Sequence, residues 1–350
     1  MFEKGQFGIL ELSAPVIVKY LVILSGVLLI SLDRVQQIYN QPLTSLVFEA
    51  QTIHRQYHES DRVQLCTLAN IKSGRCPEDC KYCAQSARYK TEVDTYALLP
   101  LDDVVEQAKA AKASGSTRFC MGAAWRQVPD GEEFERILQM VEAVVDLEME
   151  ACVTLGMLRP DQAQRLAKAG LTAYNHNLDT SANFYPEIIT TRTYSDRLET
   201  IKAVAAAGIQ LCCGGIVGLG ESDRDRVELL HVLANLDPQP ESVPINALAP
   251  IEGTPLGDRL PIDPVVLVRT IATARIIMPR AVVRLSAGRR LLSVAEQALC
   301  FLAGANSIFT GERLLTSANP GLDADGQMLE QLGLTPLDRV IDRQVVTIDS

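Results

Sequence analysis

From Asp33 onward, short apolar runs alternate with stretches whose apolar positions recur every three or four residues. Leu101, Val104, Val105, Ala108 and Ala111 keep helical spacing, and Gly115 ends that run. Pro160 opens a helix that Gly170 closes, and Ser195 opens one that closes at Gly208. Ser222 precedes a helix over 223–236, with Pro238 beyond it, and Asp263 and Pro264 make an N-cap and first-turn pair. Ser293 with Glu296 is a capping box. Between these lie eight strand-like runs, at 64–71, 117–123, 149–155, 172–179, 209–219, 242–249, 281–287 and 306–310. Strand alternating with helix predicts an α/β fold with a parallel sheet, and eight repeats predict closure into a (β/α)8 TIM-type barrel. An open doubly wound sheet is the alternative. Residues 35–57 read as one helix that caps the closed end or edge of the barrel.

The chain divides accordingly into an apolar extension at 1–31, a helical cap at 32–63, the barrel at 64–315 and a tail at 316–350. The tail is polar, with Asn319-Pro-Gly and Asp323-Ala-Asp-Gly, and is expected to be loosely ordered. The apolar run at 20–31 is about 12 residues, short of the roughly 20 that span a bilayer. An over-extended start is the favoured reading of this segment. A signal-peptide core is a second, and membrane association is disfavoured.

Composition narrows the function classes. The 350 residues carry 33 Lys and Arg against 43 Asp and Glu, a net charge of −10. That balance lacks the basic face a nucleic-acid footprint needs, and 5% aromatics give few stacking platforms. Nine cysteines, an odd number, do not suit a secreted disulfide framework. A reducing, cytoplasmic setting with metal or redox chemistry fits better.

Three cysteines crowd into one loop after the first strand, as Cys76-Pro-Glu-Asp-Cys80-Lys-Tyr-Cys83. Three thiolates on one tight loop can hold three irons of a cubane and leave the fourth open to a small molecule. Zinc is the poorer reading, because no fourth Cys or His lies nearby.

A second group is scattered but ordered along the strands. Cys120, Cys152, Cys212 and Arg284 fall on the second, third, fifth and seventh. Residues two apart share a strand face, so Asn175, Asn177 and Asp179 point one way, as do Asn246 with Leu248 and Arg284 with Ser286. A plain barrel interior is filled by Val, Ile and Leu. Cys, Asn, Asp and Arg on that face predict a ligand-filled barrel, because such groups are costly in a dry core. Cys66, Cys213 and Cys300 read as small core residues. The run Gly214-Gly-Ile216-Val-Gly-Leu-Gly-Glu221 allows close backbone approach to a ligand, or forms only a tight turn. His176 is expected to face away from its neighbours Asn175 and Asn177. Arg118 and Arg197 are expected near the open end.

These motifs fall in an order that resembles the radical S-adenosylmethionine enzymes, and among them the branch that inserts sulfur into dethiobiotin. They are CPEDCKYCAQSARY at 76–89, STRFCMGAAW at 116–125, MEACVTLG at 149–156, YNHNLDTS at 174–181, TTRTYSDRL at 190–198, GGIVGLGE at 214–221, PINALAPIEGTPL at 244–256 and VRLSAGR at 283–289. The resemblance implies a barrel enzyme, a sulfurtransferase that is usually a homodimer. It implies a 4Fe–4S cluster on Cys76, Cys80 and Cys83, and a 2Fe–2S cluster on Cys120, Cys152, Cys212 and Arg284. It implies S-adenosylmethionine contacts at Tyr82, Asn177, Asp179 and Arg197, with Gly214 and Ile216 lining the cofactor. Asn175, Asn177 and Asn246 would contact dethiobiotin, and a flavodoxin- or ferredoxin-type protein would donate electrons. Runner-up readings are a hydrogenase-maturation type of radical enzyme and a non-enzymatic iron–sulfur electron carrier.

Overall fold

The structure is a computed structural model that describes residues 30–338, together with the backbone of 22–24 and 27–29. The rest of the 1–31 extension lies outside the described residues. The eight barrel strands are β1 (Arg62–Lys72), β2 (Arg118–Ala123), β3 (Glu150–Thr154), β4 (Ala173–Asn175), β5 (Gln210–Cys212, resuming at Gly215–Val217), β6 (Ser242–Ala247), β7 (Val282–Leu285) and β8 (Ser307–Thr310). All neighbours are parallel. The ring closes because β8 pairs with β1 and β7 pairs with both β6 and β8. This is a (β/α)8 barrel, and the open doubly wound sheet is set aside.

Local chemistry explains most helix boundaries. In the helix Asp223–Ala234, Ser222 and Asp225 satisfy each other's backbone N–H groups. In Val294–Leu302, Ser293 and Glu296 do the same. The expected single helix over 35–57 is two, α1 (Leu32–Tyr39) and α2 (Leu43–Tyr57). Pro42 causes the break, since the residue before a proline is pushed out of the helical region. α1 packs on the helix Asp223–Ala234 and α2 on the helix Pro264–Ile277, so the pair clasps the outer helical layer.

Two further expectations are corrected. The segment over 316–350 is not loosely ordered in its described part. It carries the helix Leu322–Leu332, and its strand Thr335–Pro336 pairs with β1. The buried pair Arg289–Asp325, with contacts of 2.8 and 3.0 Å, fixes that helix to the barrel. The run expected as one strand over 209–219 is interrupted at Cys213 and Gly214. A Cβ on Gly214 would lie 2.0 Å from the Pro244 carbonyl oxygen, so only glycine lets β5 approach β6 there. No helix among the described residues is long and apolar enough to cross a membrane.

Candidate active site

A cavity of about 310 Å³ opens at the C-terminal ends of the strands and reaches down into the barrel. Its lining joins the two cysteine groups that the sequence keeps apart. Cys76, Cys80 and Cys83 stand at the mouth, and Cys120, Cys152, Cys212 and Arg284 lie deeper.

The mouth loop is held by its own backbone. The Cys76 N–H donates to Gln85 O at 2.9 Å, and Ala87 N–H donates back to Cys76 O at 2.7 Å. Arg75 sits in the left-handed region at φ 57°, which turns the chain sharply into the loop. Burial pushes the Cys80 thiol up to about 11 and Cys83 to about 12. These thiols keep their protons until a metal cation replaces them. Glu78 and Asp79, inside the motif, clamp the segment 190–192. Burial would raise Asp79, but hydrogen bonds from Thr190 and Thr191 hold it down at about 2. Arg192 brings Nη2 to 3.9 Å from Cys80 Sγ and lies 3.8 Å from Glu78. Arg192 stands within TTRTYSDRL, and no local pattern in the sequence marks it as part of the site.

The deep layer follows from strand register. Cys120 is level with Cys152, and Asn175 is level with Cys212. Cys120, Cys152 and Cys212 gather with Ala173, Leu68 and Phe309 around them. Their mutual hydrogen bonding and burial raise Cys152 and Cys212 well above the ordinary thiol range. Arg284 is 1% exposed. It donates from Nε to Ser307 Oγ at 3.0 Å and from Nη1 to Cys212 Sγ at 3.7 Å, while Nη2 has no partner among the described residues. Among the described residues, at the mouth as in the deep layer, no group of three Cys, His, Asp or Glu side chains is placed to hold a single metal ion. A cluster spreads its ligands over several irons. Three buried thiols beside an unfilled guanidinium N–H form a donor set suited to iron and sulfide.

The amides begin at the deep layer, where Asn175 is level with Cys212. Asn175 Nδ2 donates to Asn177 Oδ1 at 3.2 Å and reaches Cys212 Sγ at 3.3 Å, and Thr154 Oγ1 donates to Asn175 Oδ1. Asn246 spans Gly215 O and the Ala287 N–H, which fixes its amide plane. Residues 176–178 leave the sheet, contrary to the expected strand over 172–179, yet Asn177 and Asp179 still line the cavity. Asp179 sits at φ 68°, where its carboxylate takes the Tyr82 hydroxyl at 2.9 Å and the Arg197 guanidinium on the same oxygen, Oδ2. Arg197 also donates to Tyr185. His176 is buried and held neutral by burial, with Arg197 and Arg192 adding to that effect.

Of the site residues expected from sequence, Gly214 alone does not line the cavity; its missing side chain serves the contact with Pro244. Arg118 is not near the open end. It is fully buried at the start of β2, on the closed side, because strand N-termini form that end. Cys66 is buried as expected, but its sulfur lies 3.6 Å from Ser307 Oγ, on the inward face. Leu314, Leu315, Thr316 and Ser317, at and beyond the end of the expected barrel, also line the mouth. Asn70 anchors them by donating to Leu315 O at 2.9 Å.

This barrel, with a thiol triad at its open end, defines a radical S-adenosylmethionine enzyme. The profile of the Radical SAM superfamily matches residues 70–233, and that of the Biotin and Thiamin Synthesis associated domain matches 244–335. Biotin synthase of Synechococcus sp. (strain JA-3-3Ab) is 68% identical, over 88% of this chain and 99% of that protein. Biotin synthase of Gloeobacter violaceus is 60% identical, over 87% and 96%. The chain belongs to the biotin synthase family, and its chemistry uses an iron–sulfur cluster and S-adenosylmethionine. Among solved structures, methylornithine synthase shares the fold with a TM-score of 0.73 at 18% identity, over 88% of this chain and 94% of that one.

Proposed function

We propose that this chain converts dethiobiotin to biotin by sulfur insertion, with two iron–sulfur groups at two depths of one cavity. Cys76, Cys80 and Cys83 hold a 4Fe–4S cluster at the mouth, and Cys120, Cys152, Cys212 and Arg284 hold a 2Fe–2S cluster below. The observation that carries this reading is that one cavity is lined both by the thiols of the loop after β1 and by those of β2, β3 and β5, with the amides of Asn175 and Asn177 beside Cys212. When bound, the upper group supplies the electron that cleaves S-adenosylmethionine to a hydrogen-abstracting radical, and the lower supplies sulfur.

The chain's own residues bind, orient and exclude. Tyr82 and Arg197 both use Oδ2 of Asp179, which leaves Oδ1 to accept from a ribose hydroxyl. Arg192 and Arg197 give the upper level two guanidiniums for the methionine carboxylate. Amides offer donors and acceptors together, so Asn175, Asn177 and Asn246 match the ureido ring of dethiobiotin. Ile216 packs beside the cofactor, and Gly214 orients Asn177 by donating its N–H to Asn177 Oδ1 at 3.1 Å. Leu314 and Leu315 narrow the mouth and keep water from the reacting carbons. The same reading makes the chain a cytoplasmic homodimer that accepts electrons from a flavodoxin- or ferredoxin-type protein.

The test is an anaerobic assay of protein reconstituted with iron and sulfide, given S-adenosylmethionine, dethiobiotin and a reductant. Biotin and 5′-deoxyadenosine together support the reading. Deoxyadenosine without biotin contradicts the substrate or the deeper site.

A further inference from the structure

Beneath the deep thiols lies a layer that the proposed reaction leaves without a role. On three strands an inward-facing cysteine has a polar residue two positions earlier, on the same face: Gln64 before Cys66, Arg118 before Cys120, Glu150 before Cys152. These form one network. Arg118 Nε donates to Glu150 Oε2 at 2.7 Å, and its Nη2 lies 3.4 Å from Glu241 Oε1. Gln64 Nε2 donates to the same Glu150 oxygen at 2.9 Å.

Arg118 is 0% exposed, and its Nη1 has no partner among the described residues. A buried N–H left unsatisfied costs about 1–3 kcal/mol. Arg284 Nη2 is unsatisfied too. Two buried guanidiniums with spare donors thus stand around the deep thiols: Arg284 lines the cavity, and Arg118 lies outside its lining. Strand register sets Arg118 level with Cys66 and two residues before Cys120, on the face that Cys120 shares.

We propose that Arg118, held by Glu150 and Glu241, is a positioning residue that sets the reduction potential of the iron–sulfur group in the deep site. The inference rests on the two-cluster reading above. A fixed cation favours the reduced form, which carries one more negative charge, and a fixed anion disfavours it. Glu150 therefore works against Arg118, and the balance between them sets the poise.

The experiment is an anaerobic redox titration of reconstituted protein, followed by visible absorbance and electron paramagnetic resonance, with iron and sulfide measured on the same samples. Arg118→Gln should lower the potential of the deep group by at least a tenfold change in its oxidised-to-reduced ratio, 59 mV for one electron. Glu150→Gln should raise it, and the double variant should fall between. Should Arg118→Gln fail to fold around an uncompensated Glu150, the isosteric Glu150→Gln decides alone. Potentials that stay at the wild-type value, with full iron and sulfide, overturn this inference only. Wild-type protein that binds iron and sulfide for one cluster overturns the two-cluster reading and this inference together.

Discussion

Arg284 reaches from β7 to within 3.7 Å of the Cys212 sulfur on β5, and so bridges two strands that flank β6. A cation held against a thiol at this depth has little structural purpose by itself, because burying it is costly. It is understood as one side of a site whose other sides are Cys120 and Cys152.

Replacing Cys152 with Ala should therefore lower bound iron and sulfide by the content of one 2Fe–2S group and remove its visible absorbance. Formation of 5′-deoxyadenosine should persist, since the mouth thiols are untouched. An unchanged spectrum at full iron content would count against the deep site.

The converse holds at the mouth. Cys80→Ala should abolish 5′-deoxyadenosine formation, while the absorbance of the deep group remains. Product analysis by mass spectrometry reads this directly, and retained formation would refute the assignment of the triad.

Asp179→Asn keeps a residue type that tolerates φ near 68° but removes the charge facing Arg197. The expected effect is a rise in KM for S-adenosylmethionine of roughly tenfold, about 1.4 kcal/mol. The KM for dethiobiotin should move less. Equal KM values for S-adenosylmethionine in variant and wild type would remove Asp179 from the cofactor site.

Much of this site was legible in the sequence, because two of its signals are local. The mouth triad is a spacing within eight residues, and parity shows polar residues sharing strand faces, while the resemblance to the family implies Cys120, Cys152, Cys212 and Arg284 as one set. The missing parts depend on contacts between distant segments. Leu315 occupies space that a Cβ on Gly122 would enter, 2.3 Å from its Cδ2, so the polar stretch beyond Arg313 folds back over the barrel. No local pattern announces that. Arg118 is buried by contacts from distant segments, Glu150 on β3 and Glu241 just before β6, which nothing in its own neighbourhood of the chain reveals. For Gly214 the sequence leaves open a close approach to ligand or a tight turn, and the neighbour it approaches is Pro244.

Away from the site, His54 predicts an acid limit to stability. Burial, with Arg275 and Arg55 adding to it, lowers its pKa to about 4, and its ring stacks on His58 at 5.3 Å. The unfolded chain takes up this proton near the ordinary value of about 6.5. Stability is therefore complete above that pH and falls as pH drops toward 4, by roughly 2–3 kcal/mol from this group. Denaturant midpoints measured across that range should show the fall, and His54→Phe should flatten it. Identical pH profiles would contradict a buried neutral His54.

Iron and sulfide counted against biotin formed in a single turnover give the sharpest test of the whole account. Anaerobically reconstituted protein should hold two clusters per chain. With S-adenosylmethionine, reductant and dethiobiotin but no added sulfide, it should form at most one biotin per chain while the deep group's absorbance decays. Repeated turnover without sulfide, or biotin formed with that absorbance intact, would contradict the deep thiols as the seat of the sulfur source.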